Sequence, residues 1–439
     1  MKIRWPAMRV DGVQLRKPAA VGRTKPDESL IKHLKPLYFV SKLFSLSPFR
    51  LIYGHNKGAQ ISVPGIVQSL VAIVLYGAFH LYTNYNDDFM GTAKSNRNES
   101  APEPDKAGGG NGTGEGNVVS VMIDIYSRYS GLGLYWILIA GAIANQRILI
   151  RCLGLFGQVD EIFLTKLGII VQNSRWKRLI CIQMMFVAVA ILVFEWLNCL
   201  MYLSDYAPTS QYCLTECYLT LLTTVTVESQ FVGYVKLLQM RFQLINQLLD
   251  RLNEIQNHIR MEIINDIKNL YAHLHLLSLN INNAYGVQLV FILMTLFVTL
   301  TTLLYYCVMK AIRILLQRPA SYEALIERCW EVLSTLFWAA VCIFRIFRIC
   351  NICNSAKNEA SRIGSLIHGL GMNTNCTTTK TIVKIFSLQL LQQQVDFTAC
   401  GLFSIDHGLM FNIVGSVTTY ILILLQFDIA QNKSKWHRS

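Results

Sequence analysis

Charged residues are scarce in this sequence. Only 15% of its 439 residues are Asp, Glu, Lys or Arg, while 52% are hydrophobic. Soluble proteins carry about 25% charged residues. This composition argues against an ordinary soluble domain and indicates a membrane protein.

Catalytic and cofactor motifs are also lacking. The sequence contains no P-loop, no dinucleotide-binding fingerprint, no HExxH and no GxSxG. Cys350 and Cys353 form a CxxC pair, but no second pair lies near them to complete a zinc site. The glycine-rich stretch GGGNGTGEGN is followed by no Gly-Lys-Ser/Thr, so it does not read as a phosphate cradle. We therefore expect no enzymatic activity and no cofactor.

Long apolar segments are what the sequence has instead. A helix rises ~1.5 Å per residue, so about 20 apolar residues cross a ~30 Å hydrocarbon core. The pattern predicts an all-α membrane protein with seven transmembrane helices, near 61–83, 119–146, 179–203, 212–235, 286–309, 329–350 and 409–427.

The distribution of positive charge predicts the orientation. With a cytoplasmic N-terminus, 29 of the 40 Lys and Arg residues lie inside and 10 outside, which places the C-terminus outside. The net charge of +13 is then mostly a topology signal, and we expect no nucleic-acid partner. Phosphate binding near the N-terminus remains an alternative for Arg4, Arg9, Arg16 and Lys17.

These spans divide the chain into segments. We expect a basic cytoplasmic segment at 1–59 and spans one to four at 60–236, with an extracellular loop at 84–118. After these come cytoplasmic helical extensions (237–285), spans five and six (286–352), a cytoplasmic loop and anchor (353–408), the last span (409–427) and an extracellular tail (428–439). From Leu30 the apolar spacing is helical, typical of a segment on the inner membrane face or of a short cytosolic helix.

Two glycosylation sequons, at Asn98 and Asn111, fall in the loop that the charge rule places outside. The cysteines predicted near the outer face leave several disulfide pairings open, among Cys199, Cys213, Cys217 and Cys329.

The end of the chain carries the most specific pattern. Thr419-Tyr420, five aliphatic residues and Gln426-Phe427 resemble the TYhhhhhQF signature that closes the last helix of insect gustatory receptors. The run from Phe397 to Phe403, FTACGLF, resembles the start of that family's seventh helix. The resemblance implies a seven-helix, ligand-gated cation channel of four identical subunits in the plasma membrane of sensory neurons.

The last helix would then line the pore. Four of its residues recur at steps of three and four and share one face: Ser416, Thr419, Ile423 and Gln426. Gln426 and Phe427 would form or flank the gate near the outer end, and 397–404 would anchor the helix inside. Packing against neighbouring helices is the alternative explanation of this stripe.

A ligand site is predicted in the outer parts of spans two to six. A sugar or polyol needs an aromatic face together with carboxylates, amides and hydroxyls. The candidate residues of this kind are Trp338, Glu195, Thr335, Ser334, Asn198, Tyr305, Glu331 and Asp124. Aromatic residues at the membrane interface and polar residues between helices explain the same residues structurally.

Trp338 and Arg345 resemble residues of fructose-type gustatory receptors, although Thr335 stands where that group tends to carry Gln. The expected ligand is fructose, another sugar, or a sugar alcohol such as inositol, with a bitter ligand left open. An odorant-receptor-type channel subunit is the nearest alternative, and a seven-helix transporter or G-protein-linked receptor is more distant.

Overall fold

A computed structural model describes residues 9–10, 13–14, 26–52, 58–98, 118–171, 173–202, 218–252, 257–316, 322–372 and 377–436. Within these ranges the backbone alone is described at several stretches, among them 86–98, 118–128, 194–202, 257–259 and 428–436.

Helices dominate the described ranges. They are α1 (Pro26–Leu43), α2 (Val63–Asn98), α3 (Val118–Thr165), α4 (Ser174–Tyr202), α5 (Tyr218–Arg251), α6 (Asn257–Leu316), α7 (Tyr322–Met372), α8 (Thr377–Gln392) and α9 (His407–Trp436). Short antiparallel pairs form between β1 (Arg9–Val10) and β2 (Val13–Gln14), between β3 (Phe49–Ile52) and β4 (Gly58–Ile61), and between β5 (Thr398–Ala399) and β6 (Phe403–Ser404).

The seven predicted spans each overlap one of these helices, α2 to α7 and α9. Among the described residues, five segments are long and apolar enough to cross a membrane: Val63–Thr83, Tyr129–Thr165, Arg260–Ile312, Arg328–Gly371 and His407–Phe427. The all-helical membrane fold predicted from the sequence is therefore confirmed.

Helix α2 differs from the prediction at its C-terminal end. The sequence predicted a loop from residue 84, whereas α2 continues as a helix to Asn98. A helix satisfies its backbone hydrogen bonds internally, so it can run on into water after its apolar residues end. The segment 84–98 contains no proline to stop it.

Helix starts are fixed by side-chain caps. The Ser62 hydroxyl accepts from the Gly65 backbone N–H at 3.3 Å at the start of α2. Asp406 Oδ1 accepts from the Leu409 backbone N–H at 3.3 Å at the start of α9. Ser and Asp are favoured caps because they satisfy amides that have no partner within the helix.

The core lies where the inner parts of α5, α6 and α7 pack together. The stripe predicted on α5 is almost completely buried: Leu238, Phe242, Ile245, Leu249 and Leu252. A buried ion pair adds to this core, because Arg241 donates to both carboxylate oxygens of Asp160 on α3, at 3.1 and 2.8 Å. The predicted outer parts of α5, α6 and α7 thus continue from a well-packed core.

Candidate functional site

One face of α7 carries most of the candidate ligand-binding residues. Glu331, Thr335, Trp338 and Arg345 follow one another at steps of four, three and seven residues, so they share one side of the helix. Thr335 and Arg345 are each only 8% exposed, and Trp338 is half-buried. This face therefore points largely into the bundle rather than towards lipid.

The N-terminal end of this face meets α6. Lys310 Nζ lies 3.4 Å from Glu331 Oε2, which pairs the two helices in antiparallel order. Tyr305 is five residues (~7.5 Å) from Lys310, and Trp338 is seven residues (~10 Å) from Glu331. The Tyr305 and Trp338 side chains are therefore at similar depth along the two helices. The ring of Tyr305, which is buried, lies 5.7 Å from that of Tyr306, and the ring of Trp338 lies 5.7 Å from that of Phe337.

The hydroxyl of Thr335 donates to the Glu331 carbonyl oxygen at 2.7 Å, one turn back along α7. A hydroxyl that donates in this way keeps acceptor lone pairs on the side it faces. Ser334 beside it is half-buried. The α7 face thus offers an aromatic surface and hydrogen-bonding oxygens, which is the combination expected for a polyol site.

A buried charge network lies beneath these residues, and the sequence analysis missed its centre. Glu228 on α5 is completely buried. Arg345 Nη2 donates to Glu228 Oε1 at 2.6 Å and to Thr224 Oγ1 at 3.0 Å, and Arg348 Nη2 donates to Glu228 Oε2 at 3.2 Å. One signal was available: an ionisable residue inside a predicted span needs a partner.

This network has one carboxylate and two guanidinium groups. Its geometry ties α5 to α7 within two helical turns of Trp338, since Trp338 and Arg345 are seven residues apart on the same face. The contacts of Arg345 and Arg348 with Glu228 thus join α7 to α5 close to Trp338.

The remaining predicted ligand residues are not placed by the structure. Asp124, Glu195 and Asn198 lie where only the backbone is described, so their contribution to the site stays a prediction. Cys329 is exposed and forms no disulfide. The side chains of Cys199, Cys213 and Cys217 are not described, so whether these three pair with one another stays open. Asn111 is outside the described residues, and Asn98 ends α2.

The last helix, α9, presents the predicted pore residues on its uncovered side. Ser416, Thr419, Ile423, Gln426 and Phe427 are all exposed. In the most apolar 18-residue window of α9 only 6% of residues are buried, against 28–39% in the other four segments.

The opposite side of α9 packs on the bundle. Val417 is buried, and the Tyr420 ring, although half-exposed, lies 5.9 Å from that of Phe297 on α6. A single copy thus holds α9 by one narrow face and leaves the rest for lipid or for other copies.

The hairpin before α9 is locked to α6. The Asn282 side chain donates to Thr398 Oγ1 at 3.1 Å and accepts from the Thr398 backbone N–H at 3.0 Å. The hairpin tip, with Cys400 and Gly401 at positive φ, comes so close to α6 that a Cβ on Gly286 would lie 3.2 Å from the Cys400 backbone nitrogen. The segment predicted to anchor the last helix is therefore held by specific contacts.

Together, the fold and this arrangement define a polytopic helical membrane protein with a polar face inside the bundle and one nearly uncovered final helix. The family model described as "7tm Chemosensory receptor" matches residues 122–431. The chain belongs to this family, which is one of receptors and not of enzymes.

Similar proteins agree with this family. The chain is 30% identical over 104 residues to "Gustatory receptor for bitter taste 66a" of Drosophila melanogaster, covering 24% of this chain and 19% of that protein. It is 27% identical over 195 residues to "Gustatory receptor 68a" of the same fly, covering 43% of this chain and 47% of that protein. The matched segments thus span less than half of either relative.

Solved structures show the same fold. The olfactory receptor OR5 of Machilis hrabei matches with a TM-score of 0.56 at 10% identity, covering 91% of this chain and 99% of that one. The structure of OR5 in complex with eugenol matches with a TM-score of 0.57 at 13% identity, over the same shares.

Proposed function

We propose that this chain is a gustatory receptor that acts as a ligand-gated, non-selective cation channel opened by a sugar or a sugar alcohol. It would work as a homotetramer in the plasma membrane of sensory neurons, with the N-terminus inside. One observation carries the channel proposal: the final helix is almost uncovered, and its uncovered side bears Ser416, Thr419 and Gln426.

Polar side chains are costly against lipid, although a threonine can satisfy its own hydroxyl within a helix. Thr419 does so by donating to the Gly415 carbonyl oxygen at 3.0 Å. The Gln426 amide is exposed and would be best solvated by water or by other copies of the chain. A ring of four Gln amides can solvate a passing cation, and a ring of Ile or Phe side chains can close the pore by dewetting.

The polyol ligand is supported by the α7 face. The Trp338 ring can pack on the C–H patches of a sugar, and Thr335, Ser334, Tyr305 and Glu331 supply oxygens around it. Asp124, Glu195 and Asn198 would complete the pocket from spans two and three. Binding there would open the pore by as much as the ligand's differential affinity for open and closed states allows.

A bitter ligand is the second candidate, because one of the similar proteins is named for bitter taste. The aromatic rings of Trp338, Tyr305 and Tyr306 suit a hydrophobic tastant as well as a sugar. What separates the two is whether the hydroxyl and carboxylate groups on α7 are needed for activation.

The test is to express the chain alone in cells without other chemosensory receptors. Calcium entry and whole-cell current would be recorded against fructose, other sugars, inositol and a panel of bitter compounds. We expect a cation current evoked by a sugar or polyol. A current evoked only by bitter compounds would move the ligand to the second candidate, and no current despite verified surface expression would refute a channel formed by this chain alone.

A further inference from the structure

Helix α1 has one face in the core and one face with an unusual composition. Its inward residues are buried: Leu30, Leu34, Leu37 and Ser41. Its opposite face, called here the α1 outer face, consists of Lys32, Lys35, Phe39, Lys42 and Leu43, all exposed. Phe39 is 70% and Leu43 69% exposed, so two large apolar side chains stand among three lysines.

Contacts with α2 fix the depth of this face relative to the membrane. Gln68 Nε2 donates to the Lys42 carbonyl oxygen at 3.2 Å, and the Ser69 hydroxyl donates to the Ser45 carbonyl oxygen at 2.7 Å. These two α2 residues lie only five and six positions, ~8–9 Å, past the start of the helix at Val63.

That part of α2 exposes large apolar side chains. Val63, Val67 and Leu70 are large, apolar and exposed, and only acyl chains would cover them in a membrane-spanning helix. The C-terminal end of α1 therefore lies at the boundary between headgroups and acyl chains. At this depth Phe39 and Leu43 can enter the acyl region while the lysine ammonium groups reach the phosphates.

From Leu30 onward, past the acidic first turn of α1, the charge is of one sign. The segment from Leu30 to Ile52 contains four Lys and Arg residues and no Asp or Glu. The start of α4 adds the exposed Lys177 and Arg178. Helix α4 begins close to α1, because a Cβ on Gly233 would lie 3.2 Å from Trp176 and 3.4 Å from Leu37.

We propose that the α1 outer face is a binding site for anionic glycerophospholipids of the cytoplasmic leaflet. Phe39 and Leu43 enter the acyl layer, and Lys32 and Lys42 contact the phosphate groups. The proposal rests on the cytoplasmic N-terminus proposed above, but not on the identity of the tastant.

The test uses the purified full chain in detergent, titrated with soluble dioctanoyl lipids and followed by native mass spectrometry. The lipids are dioctanoyl phosphatidylserine, dioctanoyl phosphatidylinositol bisphosphate and dioctanoyl phosphatidylcholine, with free inositol trisphosphate as a headgroup without chains. The variants are Lys32→Gln with Lys42→Gln, Phe39→Ser with Leu43→Ser, and the control Lys380→Gln with Lys384→Gln. The control removes two exposed lysines from another helix, α8.

We expect the two anionic lipids to bind more tightly than phosphatidylcholine. A lysine near an anionic surface contributes ~1 kcal/mol, so losing Lys32 and Lys42 should weaken binding about 30-fold. The α8 control should change the lipid affinity less than about twofold. The Phe39/Leu43 variant should bind the lipids more weakly while its binding of the free headgroup stays unchanged. Melting temperature confirms that each variant is folded.

Four results would overturn the proposal. Equal affinity for phosphatidylcholine would remove headgroup selectivity, and equal losses in both lysine pairs would show a general attraction to a basic protein. If free inositol trisphosphate bound as tightly as the anionic lipid, the face would be a site for soluble phosphates instead. A change in oligomer size in the Phe39/Leu43 variant, with lipid binding intact, would assign the face to another copy of the chain.

Discussion

At the scale of single residues, Trp338 is the most direct test of the ligand site. It is half-buried on the α7 face that carries Thr335 and Arg345. Truncating a stacking aromatic commonly costs over ~1 kcal/mol, so Trp338→Ala should raise the half-activating ligand concentration roughly tenfold or abolish the response. Dose–response curves at matched surface expression measure this.

Trp330→Ala is the control for that change. Trp330 lies on the same helix, eight residues (~12 Å) closer to the predicted outer interface. Its truncation should move the dose–response curve little. Identical curves for wild type and Trp338→Ala would return Trp338 to a structural role.

Glu228 carries a second prediction at this scale. It is completely buried and neutralises part of the charge of Arg345 and Arg348. Removing one partner of a buried ion pair commonly costs ~3–5 kcal/mol, because the remaining charge is left without compensation. Glu228→Gln should therefore lower the melting temperature of the purified protein markedly.

Asp250→Asn is the matched control. Asp250 Oδ2 accepts from Arg362 Nη2 at 3.2 Å, but both side chains are about half exposed. Exposed pairs contribute ~0–1 kcal/mol, so this variant should melt close to wild type. Equal melting temperatures for the two variants would mean that the Glu228 network contributes no more than a surface pair.

At the scale of elements, the hairpin before α9 supplies the next prediction. A Cβ on Gly286 would lie 3.2 Å from the Cys400 nitrogen and 3.3 Å from its sulfur, whereas nothing lies within 4 Å of a Cβ on Gly133 in α3. Gly286→Val should displace the hairpin and destabilise the protein by ~1–3 kcal/mol, with a smaller ligand-evoked current. Gly133→Val should change neither the melting temperature nor the current much, and similar losses in both variants would contradict a specific contact at Gly286.

The elements also show what the sequence could predict. The spans and the α5 stripe were predictable, because apolar length and helical spacing are local properties of the chain. The extension of α2 to Asn98 was not, since a polar helix outside the membrane has no apolar signal. The Glu228 network was missed because Arg345 and Arg348 lie 117 and 120 residues from Glu228 in the sequence. A single sequence does not show which polar groups of different spans meet.

At the scale of the whole molecule, orientation is testable first. The split of 29 against 10 basic residues predicts that the N-terminus lies inside and that Asn98 and Asn111 lie outside. An N-terminal tag should be reached by antibody only after cells are permeabilised. Asn98→Gln combined with Asn111→Gln should abolish a glycosidase-sensitive gel shift. Tag staining on intact cells would show that the orientation is reversed.

Assembly around a pore is the remaining step at this scale, and the two sides of α9 decide it. If four copies enclose a channel, single cysteines on the uncovered side should react with a water-soluble thiol reagent and block the current: Ser416, Thr419, Ile423 and Gln426. The matched controls are cysteines on the side that packs against the bundle: Ile413, Val417 and Ile421.

Block at the exposed positions should depend on the ligand, because the rings of Ile423 and Gln426 must separate before the reagent passes them. Block at the packed positions should be absent in both states, since no water reaches them. The contrast has a period of three to four residues, which a helix lining water on one side requires. Equal block on both sides of α9, or none on the exposed side while current is intact, would show that the uncovered stripe faces lipid or a neighbouring helix instead of the pore.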